Sequence, residues 1–327
     1  MAHVLIIGAG GMIGQKLVAR LAQDGQIGGR PVTHLSLVDI VAPTLPPEMR
    51  GAAWAADLSV PGEATRMVAC RPHLIFHLAA IVSGEAEANF ERGYRINLDG
   101  TRSLFEAIRL AGLSAPYCPR VVFTSSVAVF GAPLPDLIPD DLAPAPLTSY
   151  GTQKAIDELL LADYSRRGFL DGIGLRLPTI CIRPGAPNRA ASGFFSSILR
   201  EPLVGREAVL PVPDTVRHWH ASPRAAIEFL VHAAALDTAL LGARRTLSLP
   251  GLSATVAEQI EALRRVAGDA AVRLIRHEPD PAILAIVGNW ARAFAPTRAE
   301  ALGFRGESSF DEIIRIHIED ELGGNIG

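Results

Sequence analysis

The sequence is poor in cysteine and has no long hydrophobic run. Its three cysteines, Cys70, Cys118 and Cys181, are scattered and form no Cys-x-x-Cys pair, so the sequence indicates neither a disulfide framework nor a thiolate zinc site. No apolar stretch approaches the roughly 20 residues that a membrane-spanning helix needs. The apolar segment 4–7 has no cationic leader and runs directly into glycines, unlike a secretory signal. We therefore expect a cytoplasmic protein without a membrane partner.

The sequence also lacks an excess of charge of either sign. It has 31 Lys and Arg against 34 Asp and Glu, a formal net charge of −3 at pH 7, so no basic surplus indicates a nucleic-acid partner. Apolar residues make up 49% and charged residues 20% of the chain, close to the average of folded globular proteins. A length of 327 residues favours one large domain or a domain with an added lobe.

Short runs rich in Val, Ile and Leu alternate with longer amphipathic stretches through the first half of the chain. This alternation is typical of βαβ units, and nearly continuous apolar strands indicate a parallel sheet buried on both faces. The predicted strands are 3–7, 34–38, 52–56, 73–77, 121–125 and 174–177, and the predicted helices are 12–23, 62–69, 86–111 and 149–167. Right-handed crossovers then give a doubly wound α/β fold with a ligand crevice at the carboxyl ends of the strands.

Beyond Pro178 the pattern changes, because prolines and glycines crowd the segment 183–213 and the predicted elements become short. Helices are expected at 222–236, 254–267, 281–288 and 309–321, with short strands near Val209 and Thr246. We assign residues 1–180, joined by about 215–250, to the doubly wound domain. Residues 181–214 and 251–327 are assigned to a smaller C-terminal lobe that binds the substrate.

A glycine motif lies between the first predicted strand and the first predicted helix. Gly8, Gly11 and Gly14 follow the spacing G-x-x-G-x-x-G. Without side chains the turn can be tight, and a pyrophosphate can approach the free N–H groups of the helix start, which includes Met12 and Ile13. The position of the motif favours a dinucleotide-binding turn over an ordinary turn.

An acidic residue closes the second predicted strand. Asp39 lies 25 residues after Gly14, where a carboxylate would accept hydrogen bonds from the adenosine ribose and repel a 2′-phosphate. This position favours NAD over NADP as the cofactor, and the alternative is an aspartate that caps a helix or a turn. Asp57 and Leu58, after the third strand, are expected to hold the adenine.

Tyr150 and Lys154 are four residues apart on a predicted helix, so both side chains emerge on one face. A tyrosine hydroxyl, with an ordinary pKa of about 10, is a poor base at neutral pH, but a neighbouring lysine ammonium favours the phenolate. Ser126 lies at the end of the fifth predicted strand, where its hydroxyl could hold a substrate oxygen. The alternative is a half-buried tyrosine beside a solvated lysine.

With these motifs the chain resembles the extended short-chain dehydrogenase/reductase family, of the NAD-dependent epimerase/dehydratase type, over essentially its whole length. The matching parts are the spaced glycines, Asp39, the segments 77–80, 97–101 and 125–131, and Tyr150 with Lys154. The resemblance implies a Rossmann domain and an NAD-dependent oxidoreductase that acts on a CH–OH group. It also implies further cofactor contacts, at Leu78, Ala79, Ala80, Asn97, Ser125, Tyr150, Lys154, Leu177, Pro178 and Ile180. A homodimer is expected only from the family, and Asn97 would support the active site through backbone and water contacts.

Two departures from the sugar-nucleotide epimerases point to a smaller substrate. Thr179 stands where those enzymes usually carry asparagine, and 217–220 reads Arg-His-Trp-His in place of an Arg-Asp-aromatic segment. Both changes remove groups expected around a nucleotide diphosphate. The run from 183 to 202 resembles dehydrogenases that oxidise a four-carbon sugar acid at C2.

We therefore interpret the chain as an NAD-dependent dehydrogenase of a small hydroxy acid. Tyr150 is the expected base, Lys154 its electrostatic partner and a ligand of the cofactor ribose, and Ser126 the residue that orients the substrate. One alternative is a sugar-nucleotide epimerase or dehydratase that retains its NAD. Another is a non-catalytic NAD-sensing regulatory protein. The presence of Ser126, Tyr150 and Lys154 together argues against this alternative.

The carboxylate of such an acid needs a cation, and an arginine fork can bind both of its oxygens. Arg183 and Arg217 are the candidates, although each could instead hold the lobe to the sheet through a carboxylate. Asn188 and Ser83 are expected to add hydroxyl contacts to the substrate.

His218 and His220 have a spacing that occurs in metal sites. No carboxylate or cysteine follows at a ligand-like distance, and the expected chemistry needs no metal. We therefore expect no metal, and one of the two histidines could line the substrate pocket.

Overall fold

The structure is a computed structural model that describes residues 1–185 and 191–327, so Asn188 lies outside the described residues. The chain divides into two units. Unit 1 comprises Met1–Val129, Thr148–Arg176 and Ile227–Leu247, and unit 2 comprises Phe130–Leu147, Leu177–Ala226 and Ser248–Gly327.

The strands are β1 (Ala2–Ile7), β2 (Gln26–Ile27), β3 (Arg30–Asp39), β4 (Gly51–Ala55), β5 (Leu74–His77), β6 (Arg120–Ser126), β7 (Ile138–Pro139), β8 (Asp171–Leu177), β9 (Thr179–Ile180), β10 (Ala208–Leu210), β11 (Arg217–Ala221), β12 (Thr246–Ser248), β13 (Leu252–Thr255), β14 (Ile275–His277) and β15 (Phe294–Ala295). The α-helices are α1 (Met12–Asp24), α2 (Glu63–Val68), α3 (Ser83–Ala88), α4 (Phe90–Gly93), α5 (Gly100–Ser114), α6 (Ser149–Arg166), α7 (Gly193–Leu203), α8 (Pro223–Ala235), α9 (Val256–Val272), α10 (Pro281–Val287), α11 (Thr297–Ala301) and α12 (Phe310–Leu322). A π-helical turn (Tyr94–Asp99) joins α4 to α5.

An eight-stranded sheet with the order β12-β8-β6-β5-β1-β3-β2, and with β4 on β3, forms the centre of unit 1. β1 pairs in parallel with β3 and β5, and the pairs β3–β4 and β5–β6 are parallel as well. The chain therefore first moves to one side of β1 and then crosses to the other, which is the order of a doubly wound sheet. The predicted fold class is confirmed. At β1, where the strand order reverses, the glycine turn lies beside the loop after β5.

The predicted single helix over 86–111 is wrong, because the chain forms α3, α4, the π-helical turn and α5 there. Asn89 leaves the helical conformation with φ −135° and caps α4, since its side chain accepts a hydrogen bond from the Arg92 backbone N–H at 3.1 Å. The π-helical turn then places Asn97 inside the unit. An amphipathic pattern does not show such local breaks, because a short polar residue competes with the helix only where its own hydrogen bond forms.

Unit 2 contains a three-stranded sheet with the order β13-β11-β9 and the parallel pairs β10–β14 and β7–β15. Its apolar core joins α7, α9 and α12. The helix α7 lies where only short elements were predicted. The segment 130–147, predicted as part of the first domain, belongs to unit 2, where β7 pairs with β15.

Within the two described ranges, no helix combines the length and the apolar character needed to cross a membrane. The cytoplasmic location and the homodimer stay predictions.

Candidate active site

The glycine turn after β1 fits a dinucleotide. Gly8 has a φ of +92°, and a Cβ there would lie 2.7 Å from the Ala79 nitrogen, so only glycine allows this approach of backbone to backbone. At Gly14 a Cβ would lie 2.2 Å from the Gly8 carbonyl oxygen. After Gly11, α1 begins without a capping side chain and without an acidic residue in its first turn. Its first N–H groups, which start at Met12, can therefore bind an anion such as a pyrophosphate.

Asp39 ends β3 beside the glycine turn. Its Oδ2 accepts a hydrogen bond from the Gly10 backbone N–H at 2.9 Å, and its Oδ1 accepts one from the Ile40 N–H at 2.7 Å. A carboxylate has about four acceptor positions, so these two bonds fix the side chain and leave capacity for ribose hydroxyls. The geometry fits the expected ribose-binding acid.

Replacing Asp39 with asparagine is expected to narrow the preference for NAD over NADP. The amide oxygen still accepts the bond from Gly10, but the charge that repels a 2′-phosphate is gone. We expect the ratio of the two dissociation constants to fall about tenfold, equivalent to about 1.4 kcal/mol, in calorimetric titrations with both cofactors. Asp24→Asn, at the exposed far end of α1, is the control, and an unchanged ratio in Asp39→Asn would contradict the assignment.

Asp57 is held by its own loop. Its Oδ1 accepts hydrogen bonds from the Ser59 N–H and hydroxyl at 2.9 and 2.6 Å, and Arg95 reaches its Oδ2 at 3.3 Å. Burial alone would raise the pKa of Asp57, but the hydrogen bonds from Ser59 and Arg95 outweigh it and lower this pKa. The adjacent Leu58 is buried, and the contact of both residues with adenine stays a prediction.

Asn97 connects the loop after β5 to the helix α6. Its Oδ1 accepts from the Ile81 N–H at 2.9 Å, and its Nδ2 donates to the Ile81 carbonyl at 3.2 Å and to Gln153 Oε1 at 2.7 Å. Asn97 thereby fixes the chain that follows Ala79 and Ala80. Gln153 was not among the predicted site residues. Its position between Tyr150 and Lys154 is the one feature of the sequence that could have indicated it.

The helix α6 brings Tyr150 and Lys154 together. Thr148 caps this helix, because its hydroxyl oxygen accepts from the Gly151 N–H at 3.0 Å. Tyr150 is half-buried in the first turn, and Lys154, one turn later, is only 2% exposed. The Lys154 Nζ lies 5.9 Å from the centre of the Tyr150 ring and donates to the Thr124 carbonyl at 2.9 Å. The lysine is therefore buried and not solvated, in contrast to the alternative that the sequence left open.

Burial lowers the pKa of Lys154, with Asp157 and Glu158 acting in the opposite direction. Ser126 ends β6 two residues after Thr124, and its Oγ accepts a hydrogen bond from the Ala128 N–H at 3.1 Å. Since the oxygen already accepts a bond from the backbone, the hydroxyl proton can be donated to a substrate oxygen.

A buried ion pair lies behind these residues. Arg176 of β8 donates to both carboxylate oxygens of Glu158, at 2.9 and 2.7 Å, and the Ser125 hydroxyl donates to Glu158 at 2.5 Å. Ser125, predicted to contact the cofactor, is thus bonded to Glu158, and its cofactor contact stays a prediction. The pair joins β6, β8 and α6 under the site.

Removal of one partner from this ion pair should be strongly destabilising. We expect Arg176→Met to lower the free energy of unfolding by about 3–5 kcal/mol, because Glu158 is left charged and buried without its cation. Arg166→Met is the matched control, since Arg166 and Asp163 form an exposed ion pair on α6, the helix that carries Glu158. Such an exposed pair contributes about 0–1 kcal/mol. Urea unfolding of both variants measures the difference, and equal losses would contradict this account.

The predicted substrate residues lie in both units. Ser83 begins α3 in unit 1 and is half-buried. In unit 2 the Arg183 Nε donates to the Ile180 carbonyl at 3.2 Å. Arg217 pairs with Glu258 at 3.1 Å, which favours the alternative of an ion pair for this arginine. Leu177 ends β8, Pro178 follows it, and Ile180 is part of β9; their contacts with the cofactor stay predictions.

The two histidines of β11 are buried and hydrogen-bonded. His218 Nδ1 lies 2.9 Å from the Ala291 carbonyl and its Nε2 lies 2.6 Å from the Thr179 hydroxyl, while His220 Nε2 contacts Gln259 at 3.1 Å. Burial lowers the pKa of His218 to about 4, with the bond to Ala291 acting in the opposite direction, so His218 is neutral. In the part of the chain that the structure describes, no group of three potential ligands is placed to hold a metal.

Comparison with known proteins places the chain in a family. Residues 4–223 match the model of the NAD dependent epimerase/dehydratase family, and the chain belongs to this family. The predicted resemblance, the NAD cofactor and the expectation of an oxidoreductase acting on a CH–OH group are thereby confirmed.

Individual relatives cover nearly the whole chain. It is 49% identical to the D-erythronate dehydrogenase of Cupriavidus necator, over 97% of this chain and 98% of that protein. It is 41% identical to the D-erythronate dehydrogenase of Haemophilus influenzae, over 98% of this chain and 99% of that protein. Among solved structures, the nucleoside-diphosphate-sugar epimerase from Agrobacterium tumefaciens is 65% identical with a TM-score of 0.98, covering 100% of this chain and 96% of that one.

Proposed function

We propose that the chain is an NAD-dependent dehydrogenase that oxidises D-erythronate at C2 to 2-oxo-tetronate. The observation that carries the proposal is the similarity to two D-erythronate dehydrogenases over nearly the full length of each protein. The buried Lys154 beside Tyr150, with Ser126 at the end of β6, supports oxidation of a hydroxyl group.

The residues around the glycine turn fit NAD. The N-terminus of α1 would hold the pyrophosphate, Asp39 the adenosine ribose and Lys154 the nicotinamide ribose. NAD, when bound, supplies a hydride acceptor.

Three side chains would perform the proton chemistry. Ser126 donates a hydrogen bond to the C2 oxygen and orients the substrate. The Tyr150 phenolate accepts the proton of the C2 hydroxyl, and the charge of Lys154 favours that phenolate. Loss of this proton and of the hydride from C2 leaves the ketone.

The 65% identical structure carries the name of a nucleoside-diphosphate-sugar epimerase, which favours the epimerase as the second candidate. Against it, Thr179 and His218 are hydrogen-bonded to each other at 2.6 Å, and the Trp219 indole N–H donates to the Leu249 carbonyl at 3.1 Å. These hydrogen bonds lie within unit 2, in the two segments where the sequence departs from the sugar-nucleotide epimerases.

One assay separates the candidates. The purified protein is mixed with NAD and either D-erythronate or a panel of nucleotide sugars, and NADH absorbance and product structure are followed. A dehydrogenase gives one NADH per acid oxidised, whereas an epimerase inverts a nucleotide sugar without net reduction of NAD. Binding of NAD without turnover of either substrate class would support the regulatory alternative.

Of the two candidate arginines, we propose that Arg183 binds the substrate carboxylate. Arg183→Ala is expected to raise KM for the acid roughly 10- to 100-fold, the loss typical of a charged hydrogen bond, with NAD affinity unchanged. Arg217→Ala is the comparison, because Arg217 already pairs with Glu258 and a smaller effect is expected. If both variants keep the wild-type KM, the acid substrate becomes doubtful and the nucleotide-sugar candidate gains support.

A further inference from the structure

A buried carboxyl group lies one helical turn beyond the catalytic lysine. Asp157 is 0% exposed, and among the described residues no donor is placed to give either of its oxygens a hydrogen bond of ordinary geometry. An ionised carboxylate is strongly disfavoured in such a place, because burial removes its water without supplying other donors. A neutral carboxylic acid needs only one acceptor for its proton.

Thr101 of α5 can provide that acceptor. Its hydroxyl faces Asp157 but donates its single proton to the Asn97 carbonyl at 2.6 Å. His77 Nε2 lies 2.9 Å from the same hydroxyl, so His77 is the donor of that bond. The Thr101 oxygen then has one lone pair left for the proton of Asp157.

The surrounding charges come from three elements. On α6 itself are Lys154 and Glu158, and Arg176 of β8 forms a two-pronged ion pair with Glu158. His77 of β5 is neutral, because burial, and next the charge of Lys154, lower its pKa to about 3. Arg176 balances Glu158, and the Lys154 ammonium donates to the neutral carbonyl of Thr124. Among the described residues, the carboxyl group left to balance the charge of Lys154, once it ionises, is that of Asp157.

We propose that Asp157 is a positioning residue for Lys154: at neutral pH it is a carboxylic acid that donates its proton to Thr101, and at alkaline pH it ionises and keeps Lys154 charged. The proposal rests on the proposed function only in the roles given to Lys154, as partner of Tyr150 and as ligand of the cofactor ribose.

The direction of both pKa shifts agrees with this role. Burial raises the pKa of Asp157 well above its usual range, with Lys154 and the hydroxyl of Thr101 acting in the opposite direction. Burial lowers the pKa of Lys154, and Asp157 opposes that change. Without the carboxylate, Lys154 should lose its proton at a lower pH.

The first test measures NAD affinity as a function of pH, by calorimetry, in wild type and Asp157→Asn. The amide can still donate to Thr101, so the fold should be retained. At neutral pH we expect the dissociation constant to stay within about threefold of wild type. The alkaline loss of affinity should begin about one pH unit lower, the smallest shift usual for a neighbouring charge. Asp163→Asn, an exposed change on the same helix, should follow wild type.

Two results would overturn the proposal. A weakening of NAD binding by the same factor at every pH would show a purely structural role, and an alkaline profile identical to wild type would remove Asp157 as the counter-ion. If Asp157→Asn does not fold, Asp157→Ala leaves no unsatisfied polar group and carries the same expectation.

The second test uses thermal unfolding of the protein without substrate. In the unfolded chain Asp157 ionises above about pH 4, whereas in the folded protein it retains its proton, so wild type loses stability as pH rises through that interval. Asp157→Asn lacks this loss, and its melting temperature relative to wild type should increase with pH. If the difference in melting temperature between Asp157→Asn and wild type did not change with pH, Asp157 would not be a protonated acid in the folded protein. Both tests work without D-erythronate, so failure of the substrate assignment leaves them intact.

Discussion

Replacing Tyr150 with phenylalanine is expected to lower kcat for D-erythronate oxidation by roughly 10²- to 10⁴-fold, the usual contribution of a positioned acid or base. The ring remains in the first turn of α6, so NAD affinity should be nearly unchanged. The variant lacks only the phenolic oxygen, which as a phenolate accepts the substrate proton. Steady-state kinetics and calorimetric NAD binding on the same preparation measure both quantities.

Tyr164→Phe is the matched control, since it removes the same hydroxyl from the same helix. The Tyr164 hydroxyl donates to Glu106 Oε2 at 3.2 Å, and Arg109 also donates to that carboxylate, so Glu106 keeps a partner. We expect kcat close to wild type in this variant. Turnover close to wild type in Tyr150→Phe as well would remove Tyr150 from the mechanism.

The parallel sheet could be predicted because its strands are apolar on both faces and are separated by helices with a clear period. β1, β3, β5 and β6 lie within a few residues of the predicted bounds. The glycine turn and the pair Tyr150 and Lys154 were also accessible, since each depends on spacing within one continuous segment.

Other features depend on contacts between distant segments and left no such pattern. Asp157 and Gln153 are polar residues on a helix, which usually indicates a solvated face, yet both are fully buried. The residues that surround them come from α5 and the π-helical turn. Asn97 donates a hydrogen bond to Gln153, and Thr101 donates one to the Asn97 carbonyl. The helix α7 was missed because prolines and glycines surround it and Pro202 lies in its last turn.

Replacing Lys154 with methionine is expected to impair two steps together. The apolar side chain fills a similar volume, but it offers neither a donor to the Thr124 carbonyl nor a charge for the cofactor ribose and the tyrosine. A cation within a few ångströms shifts an acid by about 1–3 pKa units, so its loss should lower kcat at neutral pH by roughly 10- to 1000-fold. NAD affinity should fall as well.

The pH dependence separates an electrostatic role of Lys154 from a structural one. A tyrosine without a neighbouring cation ionises near pH 10, so raising the pH restores the phenolate. Burial lowers the pKa of Lys154 in wild type, so wild type begins to lose its ammonium as the pH rises. The activity of Lys154→Met should continue to rise with pH beyond that point. The quantity to measure is kcat from pH 6 to 10 in both proteins, with circular dichroism to establish that the variant is folded. A deficit of equal size at every pH would contradict the electrostatic role, and unchanged NAD affinity would contradict the ribose contact.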